Sequence, residues 1–214
     1  MVITESELRE MWRDGKNALP PFQPGTSFTP AAQDFLKAHH QEIRFERPEH
    51  MTRLDAGHFV PKTDPRIRLR GRLDALHALV MLVAAQARRG LPRLAALLDA
   101  LADYCREIQS AEYHGRPVSP LELDGKSAEE IHEISHHPER TLGIAHIGPG
   151  PDDLPILHWL NYLRASARDG EIVALEAYPP PGREDLSTAL NRLSSAVYYL
   201  ELLYRAGMIR WDSE

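Results

Sequence analysis

Leu186, Leu190, Leu193, Val197, Leu200 and Tyr204 follow one another in alternating steps of four and three. At 3.6 residues per turn, an α-helix brings such a series onto one face, and a strand cannot. A one-sided apolar stripe this long must be covered by other elements. Leu69, Leu73, Leu76, Val80 and Val83 repeat the pattern upstream. The periodicity predicts long helices over about 64–89, 92–112, 152–178 and 183–206, with Gly207 just past the last. A shorter helix opens at Ser127, where Glu130 completes a capping-box spacing. Short connections between long amphipathic helices imply an all-α, antiparallel bundle of about five helices, over residues 47–214. Ahead of it, residues 1–46 read as a small α/extended module. It holds a helix capped by Thr4, a Pro- and Gly-containing stretch, and a second helix opened by Thr29-Pro30.

Composition narrows the function. The net charge of −6 argues against a general nucleic-acid binder, so an anionic ligand would need locally placed Lys and Arg. No apolar run approaches the ~20 residues that span a bilayer, and early acidic residues argue against a secretory signal. The single cysteine, Cys105, excludes an internal disulfide and fits a reducing cytoplasm.

Two polar stripes interrupt the apolar helices. Arg164, Arg168 and Glu171, at i, i+4 and i+7, stack two guanidiniums and a carboxylate on one helix face. Their ordinary reading is a solvated ion-pair ladder. Gly170 within this helix costs roughly 1 kcal/mol against Ala, which suggests close approach by another backbone or a ligand. Asn191 and Ser195 fall on one stripe beside the last apolar seam, with Ser194 and Tyr198 adjacent; packing at a helix interface would also account for them. A third element precedes the first long helix. Asp64 is a good N-cap and Pro65 a favoured first residue, leaving Lys62 just outside a positive helix terminus as a phosphate contact. Asp74 lies near the apolar seam, with Arg70 as its ordinary surface partner.

In this order the three elements resemble the corrinoid adenosyltransferases. Pro61-Lys62 through Gly71-x-x-Asp74-x-Leu76, Arg164-x-x-x-Arg168-x-x-Glu171 and Asn191-Arg192-Leu193-Ser194 resemble the propanediol-utilisation type. The likeness is greater to the ethanolamine-utilisation type and covers most of the chain. It rests on Ile3-Thr4-Glu5, Leu8-Arg9, Thr29-Pro30-Ala31-Ala32 running to Ile43-Arg44-Phe45, Lys62 to Arg66, Ile134-Ser135-His136-His137-Pro138, and Leu190 to Tyr198. The chain departs from that type in lacking its paired-Cys metal motif, so no thiolate metal site of that kind can be built. It also lacks the Thr/Gly/Asp-rich triphosphate loop of the propanediol type.

The resemblance implies transfer of the 5′-deoxyadenosyl group of ATP, taken with Mg²⁺, to cob(I)alamin. The reduced cobalt is the nucleophile, so the protein supplies position and charge rather than a reactive side chain. It implies catalytic roles for Arg168 and Lys62 at the phosphates, with Glu171 and Asn191 also at ATP; Thr29 joins them as the cap of a helix start whose free N–H groups suit phosphate. Asp74 and Arg164 would pair across a subunit boundary, with Arg192 in support. Ile147 and His136 would face the corrin. A homo-oligomer (trimer or dimer), a reductase partner, a cytoplasmic location and association with a bacterial microcompartment go with it. Residues before about Phe45 are expected to cover the nucleotide. No dedicated metal site is expected: His132 and His136 are four apart, but no acidic residue completes a metalloprotease-like motif. Two other readings stand beside this one. A non-catalytic helical scaffold or cargo adaptor would leave the polar stripes without a task. A His-rich metal-dependent hydrolase would need His-Asp pairs that this spacing does not provide.

Overall fold

The computed structural model describes residues 1–23, 25–46, 48–55, 58–146 and 148–211. They form two compact units, Met1–Lys62 and Thr63–Glu214. The division lies beyond the expected one after residue 46 because a hairpin belongs to the first unit. Its strands β3 (Met51–Arg53) and β4 (Phe59–Pro61) pair antiparallel, Thr52 opposite Val60.

The remainder of the first unit comprises β1 (Val2–Ile3), α1 (Glu5–Asp14), β2 (Ser27–Phe28) and α2 (Pro30–Ala38). Strands β1 and β2 pair in parallel. Both helices start as their caps specify. Thr4 and Glu7 close a reciprocal capping box, and the Thr29 hydroxyl accepts from Ala32 N. Ile3, Leu8, Phe22, Ala32, Phe35 and Leu36 form a small core. Phe22 and Phe45 add one isolated parallel bridge.

The second unit is the expected bundle. Its helices are α3 (Pro65–Ala87), α4 (Pro92–His114), α5 (Ala128–His136), α6 (Pro138–Leu142), α7 (Pro155–Ala177) and α8 (Glu184–Arg205), with a small hairpin, β5 (Glu122–Leu123) and β6 (Lys126–Ser127), before α5. Pro138 opens α6, while α5 stops at His136. The capping box of Ser127 and Glu130 is formed, and Gly207 takes a φ of 70° past the end of α8. Both apolar seams are buried except at Tyr204, which is half-buried. Leu186, Leu190, Leu193, Val197 and Leu200 are fully enclosed, as are Leu69, Val80 and Val83. Each such side chain contributes on the order of 1.5–3 kcal/mol.

Helices α7 and α8 run antiparallel. Arg164 lies over Tyr198 and Glu171 meets Asn191, so partners descend α8 as one ascends α7. At the far end Glu112, almost wholly buried, accepts from Arg70 Nε at 2.6 Å and from the Tyr178 hydroxyl at 2.7 Å. This network ties α3, α4 and the end of α7 together, and it engages Arg70. Asp74 instead accepts from Gln109 Nε2 at 2.7 Å. Buried Gly170 faces side chains, with neither backbone nor cavity as its nearest neighbour. A Cβ there would lie 3.5 Å from Leu190 Cδ2 and 3.9 Å from Arg72 Cγ, ordinary contact distances. The Gly170→Ala variant should therefore unfold later, by up to about 1 kcal/mol in chemical denaturation. A loss of stability would mean that the α7–α8 contact cannot accommodate a methyl group.

Candidate functional site

The two polar stripes converge. A cavity of about 370 Å³ opens between α5, α7 and α8, lined by Arg164, Arg168 and Glu171 from α7, Asn191, Ser194, Ser195 and Tyr198 from α8, and His132, Ser135 and His136 from α5, with His146 from the loop after α6. Its volume falls in the range of small-molecule sites, but its lining is polar where most such sites are apolar.

The antiparallel pairing gives the cavity a long axis. Glu171 and Asn191 mark one end, where Asn191 Nδ2 donates to the carboxylate at 3.2 and 3.3 Å. Arg164 and Tyr198 mark the other, with the guanidinium 4.5 Å from the ring centroid. Tyr198 OH is 3.1 Å from His146 Nδ1, and His146 Nε2 donates to the His136 carbonyl at 2.9 Å. With a proton on Nε2, this tautomer leaves Nδ1 to accept from the tyrosine hydroxyl.

Arg192, behind the cavity wall, organises the middle. One nitrogen, Nη1, donates to Asn191 Oδ1 at 3.0 Å and lies 3.2 Å from His132 Nδ1. The first contact fixes the Asn191 amide with its nitrogen toward Glu171. The second requires a lone pair on His132 Nδ1, since a guanidinium only donates. Burial, the Arg192 charge and His136 all hold the His132 pKa below the usual imidazole value. Asn191 was expected at ATP, and an amide there has one donor and one acceptor group to offer. In this geometry both are engaged within the protein, so the amide holds Glu171 in place.

Arg168 is the exception. It is exposed at the cavity, and among the described residues no hydrogen bond or ion pair engages it. An unpaired guanidinium beside neutral donors suits an anionic ligand, with geometry matched to phosphate or carboxylate oxygens. Asp74 and Arg164 do not pair with each other within the chain. Lys62 and Thr29 belong to the first unit. The Lys62 ammonium is exposed, 3.9 Å from a Glu49 carboxylate oxygen, and the Thr29 hydroxyl caps α2. Ile147 lies outside the described residues. Among those described, no group of three or more His, Cys, Asp or Glu side chains could hold a metal, and no helix is long and apolar enough to cross a membrane. The roles of His132 and His146 escaped sequence reasoning. The four-residue step from His132 to His136 was visible, but it was weighed only as a metal spacing. Glu201, one turn beyond Tyr198, was missed altogether; it is buried, and one carboxylate oxygen has no hydrogen-bond partner.

The chain is 34% identical over 163 residues to the corrinoid adenosyltransferase EutT of Escherichia coli (strain K12), and 31% identical over 162 residues to that of Salmonella typhimurium (strain LT2). Each match covers 74% of this chain and 60% of the relative, so the chain spans about three-fifths of the length of these curated relatives. No solved structure matches it. Residues 46–204 match the family model of cobalamin adenosyltransferase, a span that takes in α5, α7 and all but the last residue of α8. By that match the chain belongs to the cobalamin adenosyltransferase family.

Proposed function

We propose that this protein transfers the 5′-deoxyadenosyl group of ATP to cob(I)alamin, with Mg²⁺ accompanying the nucleotide. The observation that carries the reading is the Arg168 guanidinium, without a partner among the described residues, in a polar cavity that also holds the oriented Glu171 carboxylate. In the reaction the cobalt lone pair forms a bond to the ribose C5′. The C5′–O bond breaks, and its electron pair leaves on the phosphate chain. Negative charge grows on that chain in the transition state. A guanidinium already in place stabilises it without reorganisation. Glu171, held by Asn191, can accept from ribose hydroxyls or from water around Mg²⁺. Lys62 remains an ATP contact implied by the family resemblance, as His136 and Ile147 remain contacts toward the corrin, while Thr29 remains an ATP contact read from the helix N-terminus it caps.

Anaerobic incubation with ATP, Mg²⁺, cobalamin and a reductant tests the reading, by the absorbance change as the cobalt–carbon bond forms. A thermal-shift panel separates the alternatives. ATP and cobalamin each stabilise the transferase, a divalent metal alone stabilises a hydrolase, and a scaffold responds to none of them.

The active form is a homo-oligomer in this reading, served by a reductase in the cytoplasm or a microcompartment. Support comes from exposed Trp159, Tyr162, Ile172 and Leu175 on α7, and from Asp74 and Arg164, which lack each other within one chain. Replacing either Asp74 or Arg164 with Ala should lower both oligomer mass and activity, and the double replacement should be less than additive. Additive losses, or unchanged mass by light scattering, would remove the intersubunit pair.

A further inference from the structure

His132 has a tautomer dictated by its neighbours. Its Nδ1 sits 3.2 Å from Arg192 Nη1 and 3.3 Å from Ser195 Oγ, and the guanidinium can only donate. The imidazole proton is therefore on Nε2. Among the described residues Nε2 has no hydrogen-bond partner, and the ring lines the cavity. The two walls differ in chemistry. The α7 lining carries Arg164 and Arg168 with Glu171, which is bound to Asn191, while the α5 and α8 lining offers uncharged groups: His132, Ser194 and Ser195.

We propose that His132 is a nucleoside-binding residue, presenting a fixed Nε2–H donor to a neutral acceptor atom of the ribose or purine while the phosphates lie against the α7 arginines. This rests on the ATP reading above and assigns one wall of the cavity to the nucleoside. An uncharged donor gains little from a phosphate already matched to guanidinium groups. It discriminates well for an acceptor that would otherwise be buried unpaired. Arg192 and Ser195 act through His132, as positioning residues that hold its ring and proton.

Two substitutions separate the nitrogens. His132→Asn keeps an acceptor near Nδ1 for Arg192 and Ser195 but removes the donor at the ε position. His132→Gln restores an N–H at that reach. Calorimetry gives the ATP dissociation constant, and competition gives the inhibition constant of inorganic tripolyphosphate, which has no nucleoside. His132→Asn should weaken ATP about tenfold with tripolyphosphate unchanged, and His132→Gln should recover most of the loss. Thermal unfolding of both variants checks that the bundle is intact. Equal weakening of ATP and tripolyphosphate would place the donor at the phosphates and overturn the assignment. Unchanged ATP affinity in His132→Asn would leave His132 a packing residue. A wild-type protein that binds tripolyphosphate but not ATP would refute the nucleotide reading itself, whatever the variants do.

Discussion

Arg168→Ala should lower the adenosyl-transfer rate by 10²–10³, equivalent to about 2.7–4 kcal/mol of transition-state stabilisation, and leave thermal unfolding unchanged. The reason for the second half is local. Arg168 is exposed and takes part in no hydrogen bond or ion pair among the described residues, so the folded state loses nothing when it is truncated. Its neighbours are different in this respect. Arg164 packs on Tyr198, and Arg192 orients two side chains, so replacing either mixes structural with chemical loss. Single-turnover measurement of cobalt–carbon bond formation isolates the step. A rate within a few-fold of wild type would put the phosphates elsewhere.

Replacing Glu201 should make the protein more stable, and by an amount that depends on pH. Burial pushes its carboxyl up to about 7, against partial relief from Arg164 and Arg205. From the ordinary 4.5, that shift corresponds to roughly 3 kcal/mol disfavouring the folded state once the group is ionised in both states. The folded pKa is raised, so the favourable contribution is fully present below 4.5 and is lost as pH rises through about 7. Glu201→Met removes both the charge and the unpaired oxygen while keeping an unbranched side chain of similar length. Denaturant unfolding should show the variant ahead by about 3 kcal/mol at pH 8, with the advantage shrinking as pH falls below 7. An advantage that does not vary with pH would mean that Glu201 keeps an ordinary pKa.

The bundle was legible because its signals are local and redundant. Period, caps and breakers agree at each helix, and the seams from Leu69 to Val83 and from Leu186 to Leu200 are buried as their spacing requires. The α7 and α8 stripes were legible for the same reason, since residues four apart share a face whatever the tertiary structure. What the pattern cannot encode is which faces meet. Arg70 was paired with Asp74 because they are one turn apart, whereas α4 places Glu112 closer to its guanidinium. Asn191 looked free for a ligand because Arg192 was counted as interface support, although it holds Asn191 Oδ1 and His132 Nδ1 together. Nothing in the sequence around Glu201 marks it as buried. Only the packing of α8 on nearly all sides reveals that it is enclosed.

The lone thiol of Cys105 sits on α4, buried in the core, with its pKa pushed up by burial to about 12. A thiol in that condition is inert to alkylating agents until the surrounding helices part. Its labelling rate, divided by that of the unfolded chain, therefore gives the fraction of time the bundle is open. No residue of α4 lines the cavity, so the label and a ligand do not compete for space. Labelling with and without each substrate then becomes a clock, slowed by the factor through which that substrate holds the helices closed. Native chemistry has placed a single timekeeper in the core, where an engineered probe would have to be inserted at the risk of disturbing it.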